Sequence, residues 1–137
     1  MLKQPTIEAC CKAIGSSLGA GEDMIFGFVD GTEVSVCRPM FNDQQLYYSG
    51  HKKQHSLNHM AIILPNGLFG SCFSGVPSSG GDATACIVLG FGRRLGELLS
   101  WLPDGQYRYV YGDAAFGSQD YVLGPYKDVN SKYITPT

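Results

Sequence analysis

Residues 24–32 read MIFGFVDGT, an apolar run that ends on the carboxylate of Asp30 and then on Gly31. Such a run is typical of a buried strand. Taken alone, the Asp-Gly pair favours a tight hairpin, because both residues tolerate positive φ and residues 32–36 alternate like a returning strand. The alternative is a strand that delivers Asp30 to the edge of a sheet. A carboxylate in such a place usually has a cation, a hydrogen-bond network or a turn to stabilise it.

A second stretch, residues 107–113, repeats this design. It reads YRYVYGD, a β-rich segment that again ends on an aspartate, Asp113. A helix is predicted before it, and a crossover helix returns the chain parallel to a strand of the same sheet. If the two strands are neighbours, Asp30 and Asp113 meet at their carboxyl ends, where α/β sheets gather ligands. Two carboxylates placed in this way can hold one metal ion.

The remaining patterns predict a mixed α/β fold in a single domain of 137 residues. The predicted elements are a helix over residues 6–18 capped by Thr6, a hairpin of strands at 57–64 and 68–73 with a turn at 65–67, and a helix over 82–102 capped by Asp82. The sheet is therefore expected to be an antiparallel meander, followed by a crossover helix and one parallel strand.

Composition and charge narrow the class of protein. Hydrophobic residues make up 44% and charged residues 16%, which suits a globular fold and argues against a disordered chain. The net charge of -2 does not by itself point to a polyanion partner, so any nucleic-acid binding must come from local basic clusters. Five cysteines lack the spacing of a disulfide or zinc framework, and we expect reduced thiols. Without a signal-peptide core or a membrane-length apolar run, we expect a soluble, intracellular protein that is not secreted and contacts no membrane.

The most basic and aromatic segment is YYSGHKKQH at residues 47–55. One interpretation is a loop that contacts phosphates and stacks on bases or sugars, and the other is a solvated loop that enters a strand. A third concerns His51, His55 and His59, which recur at every fourth residue and would stack as zinc ligands on a helix. A preceding glycine and the strand-like pattern that follows argue against that helix.

Several short motifs then occur in order: Asp30-Gly31-Thr32, Arg38-Pro39, Gln45 to Tyr48, Ser49 to His55, Pro65-Asn66-Gly67, Gly80-Gly81-Asp82, Gly112 to Phe116 and Pro125-Tyr126. Their order and spacing resemble the DDE superfamily endonuclease domain of Harbinger-type transposases. No single motif is specific, but the ordered set is. The resemblance implies a ribonuclease-H-like fold, a DNA substrate, and strand cleavage or transfer that depends on Mg²⁺ or Mn²⁺. It also implies a nuclear location in a eukaryote, and a cytoplasmic one otherwise.

The resemblance assigns roles to individual residues. Asp30 matches the first catalytic carboxylate of the family and Asp113 the second, and both are the implied metal ligands. Asp82 is a further candidate metal ligand, because it matches an acidic position before the crossover helix. The family usually has His-Asp at that position and this chain has Gly81-Asp82. Together with the basic segment, the resemblance nominates as DNA contacts Arg38, Tyr48, His51, Lys52, Lys53 and His55.

The chain departs from the family pattern after Pro125-Tyr126, where a third acid, a glutamate on a later helix, is expected and is not present. Glu97 and Asp128 are the available acids, and neither lies in a matching motif. We therefore expect a helical segment at 1–23, a C-terminally incomplete endonuclease domain at 24–127 and a polar tail at 128–137. The function is then either an impaired nuclease that obtains its third acid from a longer product or another transposase subunit, or an inactive remnant that binds DNA or such subunits. One face of the sheet is expected to stay uncovered and to lower solubility.

Overall fold

The described part of the computed structural model comprises residues 2–19, 24–40, 43–116 and 119–125. It contains four α-helices and six strands, in the order α1 Gln4–Leu18, β1 Ile25–Ser35, α2 Gln44–Tyr47, β2 Tyr48–Ser49, β3 Gln54–Ile63, β4 Phe69–Pro77, α3 Gly81–Val88, α4 Phe91–Leu98, β5 Tyr109–Tyr111 and β6 Val122–Leu123. Two short 3-10 turns, Ser78–Gly80 and Ala114–Phe116, precede α3 and follow β5.

The sheet is mixed, as the sequence predicted. Its strand order is β2-β3-β1-β5-β6, and β4 pairs with β3 outside this path. Strands β1, β3 and β4 are antiparallel neighbours. After the helices, β5 returns parallel to β1, and β6 is parallel to β5. The meander, helical crossover and parallel strand are therefore confirmed, and the arrangement is consistent with a ribonuclease-H-like fold.

The hairpin favoured at Asp30-Gly31 does not form. Strand β1 continues through both residues to Ser35, and its pairing with β3 runs without a register shift from Phe28 opposite Ile63 to Ser35 opposite Ser56. The eight paired residues outweigh the local turn preference of Asp-Gly. The predicted second hairpin is present, with Gly67 at φ 80° in the turn between β3 and β4.

The long helix predicted over residues 82–102 is two helices. Gly90 has φ 60° and ψ 39°, a left-handed conformation that ends α3 and starts α4. The break lets Ala85 and Cys86 of α3 pack in the same core as Phe91 and Leu95 of α4. At the N-terminus, Lys3 rather than Thr6 is the cap residue of α1, because the helix already begins at Gln4.

The core lies on one side of the sheet. Along β3 the buried residues Ser56, Asn58, Met60 and Ile62 alternate with partly exposed ones, so one face is covered. We call the other side the open face and define it by Phe28, Asp30, His59 and Ala61. Exposed apolar side chains on or beside this face are Phe28, Val34, Phe69 and Leu123.

Within the described residues, none of the helices has the length and apolar character that crossing a membrane requires.

Candidate active site

Asp30 and Asp113 occupy matching positions on neighbouring parallel strands. The β1–β5 ladder pairs Phe28 with Tyr111, and each aspartate follows its paired residue by two positions. Neighbouring strands lie about 4.8 Å apart, so a register continued past Tyr111 would bring the two residues close together at the carboxyl end of β5. This is the adjacency that the sequence predicted for the two strands.

Close packing holds the segments that follow the β1–β5 ladder next to each other beyond the last paired residues. A Cβ added to Gly112 would lie 2.9 Å from Cγ1 of Val29 and 3.0 Å from the Phe116 ring. The backbone of Gly112 therefore lies against the residue that precedes Asp30. Only a glycine fits here without displacing these neighbours, which explains why a glycine precedes Asp113.

Each aspartate makes one hydrogen bond to backbone. Oδ1 of Asp30 accepts the amide of Gly31 at 2.9 Å, and Oδ1 of Asp113 accepts the amide of Ala115 at 2.8 Å. Both residues are exposed, so the remaining carboxylate oxygens are accessible to a ligand. Carboxylate oxygens are the donors that Mg²⁺ takes from proteins, usually one or two per ion. The donor set therefore fits a divalent cation, although the described residues contain no group of three or more potential metal ligands.

Asp82 lies on the other side of β1. A Cβ added to Gly31 would lie 2.5 Å from Oδ1 of Asp82, so the Asp82 carboxylate covers Gly31. Because successive residues of a strand point to opposite faces, Asp30 points to the open face and Asp82 lies on the covered face. Asp82 is also not the cap predicted for α3. The cap residue is Gly80, and Asp82 instead accepts a hydrogen bond of 2.7 Å from Nδ2 of Asn58.

A polar cluster surrounds Asp82, and it was not predicted from the sequence. Asn58 is 1% exposed and is paired in register with Glu33, whose Oε2 accepts the hydroxyl of the buried Ser56 at 3.0 Å. Oδ1 of Asn58 is buried and has no hydrogen-bond partner among the described residues. The only sequence signal was a polar residue at each of two inward positions of β3.

Three of the predicted DNA contacts come together at the far end of β1. The amide of Val36 donates to the carbonyl of His55, and His55 pairs with Tyr48 across the β2–β3 ladder. The Tyr48 and His55 rings meet edge to face at a centroid distance of 5.5 Å. Nε of Arg38 donates to Oε1 of Gln44 at 2.8 Å.

These residues line a cavity of about 480 Å³, which we call the aromatic cavity; its lining residues are Arg38, Gln44, Gln45, Tyr48 and His55. The two glutamines were not predicted as site residues, since only the fold brings them beside Arg38.

The other predicted basic contacts lie in the turn that joins β2 to β3. His51, Lys52 and Lys53 are exposed there, and Lys53 has a left-handed φ of 54°. His55 and His59 lie on β3 rather than on a helix, about 13 Å apart along the strand by its usual rise. The three histidines therefore do not stack as helical zinc ligands, and no group of three or more potential metal ligands occurs in the part of the chain that the structure describes.

The two alternative acids differ in what the structure shows. Glu97 lies on α4 in an exposed ion pair of 2.7 Å with Arg93, within the helical layer. Asp128 lies outside the described residues.

Comparison with known proteins identifies one family. A family model described as DDE superfamily endonuclease matches residues 29–137. No curated protein and no solved structure gives a significant match. The match starts one residue before Asp30 and includes Asp82 and Asp113, and it confirms the predicted superfamily. The Harbinger-type subfamily stays a prediction.

Proposed function

This chain belongs to the DDE superfamily endonuclease family, and from that premise we propose that it is a transposase-derived domain that cleaves DNA phosphodiesters or transfers DNA strands with Mg²⁺ or Mn²⁺. We further propose that its lineage is the Harbinger type. The observation that carries the proposal is the register of β1 and β5, in which Phe28 is paired with Tyr111 and each aspartate follows its strand's paired residue by two positions.

In this proposal Asp30 and Asp113 are the catalytic and metal-binding residues. When bound, the divalent cation would polarise the scissile phosphate and lower the pKa of an attacking water. The backbone bonds from Gly31 and Ala115 orient the two carboxylates and leave their other oxygens facing solvent. Asp82 has a different role, because its carboxylate is bonded to Asn58 on the covered face.

DNA is proposed to lie along the open face. His55, His59 and Ala61 alternate on the same side of β3, and Ala61 is paired with Asp30. The exposed cations of the β2–β3 turn and Arg38 then contact backbone phosphates, which supplies affinity without reading sequence. A DNA substrate places the protein in the nucleus of a eukaryote and in the cytoplasm of other cells.

An inactive DNA-binding role is the second candidate. The observation that favours it is that the candidate site has two carboxylates, Asp30 and Asp113, and the described residues contain no group of three or more potential metal ligands. In that case the chain binds DNA or other transposase subunits, and a subunit that supplies a further glutamate would restore cleavage.

Plasmid nicking tests the two candidates. The purified chain with Mg²⁺ or Mn²⁺ is expected to convert supercoiled plasmid to nicked circles, and Asp30→Asn and Asp113→Asn are each expected to abolish this. Asp104→Asn is the matched control, because Asp104 is an exposed turn residue after α4. A chain that shifts DNA in a gel but leaves the plasmid supercoiled with either metal supports the inactive role. Nicking that survives both substitutions refutes the assigned site.

A further inference from the structure

The aromatic cavity has the chemistry of a nucleobase site. Its lining includes the ring of Tyr48, a residue that is 43% exposed, and the ring of His55, and the two rings meet in an edge-to-face arrangement. Bases stack on such rings whatever their identity, because every base has a π-face. The volume of about 480 Å³ is within the range of small-ligand sites and exceeds what one base needs.

Polar groups around the rings suit a base edge or its phosphate. Arg38 uses Nε to hold Gln44, so the two terminal nitrogens of the guanidinium are left to donate to an acceptor pair. The two glutamine amides of the lining, Gln44 and Gln45, can donate and accept at a Watson–Crick edge. This combination of a stacking ring with fork-like donors distinguishes the cavity from a surface that contacts only phosphates.

The cavity lies on the same face as Asp30, at a defined distance from it. His55 and Ala61 are six positions apart on β3, and Ala61 is paired with Asp30, so the separation is about 20 Å at the usual rise of a strand. One DNA strand has a phosphate about every 3.4 Å along the helix axis, so this distance corresponds to about six nucleotides.

We infer that the aromatic cavity holds one unstacked base of the bound DNA, about six nucleotides from the phosphate that lies at Asp30. The inference rests on the proposed function, because it requires DNA on the open face. An unstacked base costs least where the DNA is already unpaired, so the cavity favours DNA with a bulge or a distorted end.

Binding measured in EDTA tests the inference without cleavage. Fluorescence anisotropy would compare a perfect duplex with the same duplex that carries one unpaired base. We expect about tenfold tighter binding to the bulged duplex, the effect of one stacked base. Tyr48→Leu is expected to remove this preference and Tyr48→Phe to keep it. The control Tyr107→Leu, an exposed tyrosine outside the cavity, is expected to leave it unchanged.

The possible results distinguish the base-binding inference from the nuclease proposal. Equal affinity for the two duplexes, or a preference that survives Tyr48→Leu, overturns the inference while leaving the nuclease proposal intact. A Tyr48-dependent preference in a chain that never nicks plasmid supports the cavity and refutes the nuclease. Failure to bind any DNA refutes both.

A chemical cleavage map tests the distance. Cys37 and Cys72 are exposed, so both are first replaced by serine, and an iron–EDTA group is then attached at Asp30→Cys. Hydroxyl radicals from that group are expected to cut the bulged duplex about six nucleotides from the unpaired base. Cuts centred on the bulge itself, or spread evenly along the duplex, contradict the proposed placement.

Discussion

Replacing Gly31 by alanine tests the close approach of Asp82 to β1. The new Cβ would lie 2.5 Å from Oδ1 and 2.8 Å from Cγ of Asp82, so the carboxylate must move. Moving it breaks the 2.7 Å bond from Asn58, a residue that is 1% exposed and already has an unpartnered Oδ1 among the described residues.

The size of the effect follows from two opposed contributions. Loss of a partner for the buried Asn58 amide costs about 1–3 kcal/mol. Replacing a glycine inside a strand by alanine raises the unfolding free energy by about 0.5–1 kcal/mol, because alanine loses less conformational entropy on folding. From the midpoints of these two ranges we expect a net loss of about 1 kcal/mol in unfolding free energy at Gly31→Ala, and a fall in Tm of about 3–5 °C for a chain of this size.

A double-mutant cycle measured by chemical denaturation isolates the contact. In an Asp82→Ala background the obstructing carboxylate is gone, so Gly31→Ala is expected to be neutral or stabilising by up to about 1 kcal/mol. Gly50→Ala is the matched control, since a Cβ there would meet no atom within 4 Å. Equal destabilisation by Gly31→Ala in both backgrounds, or no destabilisation in the natural chain, would refute the reasoning.

Two further predictions concern a buried thiol and the open face. Burial raises the pKa of the Cys86 thiol from its ordinary 9.0 to about 11, so above pH 9 the unfolded chain loses this proton first. The unfolding free energy is therefore expected to fall between pH 9 and about 11, more steeply in the natural chain than in Cys86→Ala. Chemical denaturation at a series of pH values measures this, and an equal fall with pH in the two proteins would contradict the raised pKa of Cys86. Phe69 is 69% exposed beside the open face, and Phe69→Lys is expected to raise the soluble, monodisperse fraction seen by light scattering, with Tyr107→Lys as control. A natural chain that is already a monodisperse monomer at the same concentration would count against the second prediction.

Local sequence patterns were sufficient to predict an element where the spacing of its apolar residues is regular along the whole segment. The apolar runs at 57–64 and before Asp30 and Asp113 identified three strands, and the intervening helical pattern predicted that β5 lies parallel to β1. A strand–helix–strand crossover has few possible arrangements, so the order of the elements along the chain was enough to predict the parallel pairing. The Pro-Asn-Gly turn between β3 and β4 was equally local, because Gly67 needs a positive φ that few other residues adopt.

The sequence predictions were wrong where a residue fits a local motif but its conformation is set by contacts with residues distant in the chain. Asp30-Gly31 reads as a turn, but eight paired residues hold it in a strand and the Asp82 carboxylate takes the space that a side chain at position 31 would fill. The helix predicted over residues 82–102 has an unbroken apolar pattern, yet Gly90 reverses the backbone so that both halves bury their apolar sides.

The sequence by itself determined the main strands, the crossover that makes β5 parallel to β1, and the aspartate that follows the apolar run of each of these two strands, because these depend on periodicity and on chain connectivity. Only the tertiary structure decided what Gly31 is for, which face Asp82 occupies, and that Arg38, Gln44 and Tyr48 share one cavity. Such relations depend on β-sheet register, which is fixed by how residues distant in the chain bury their apolar surface together.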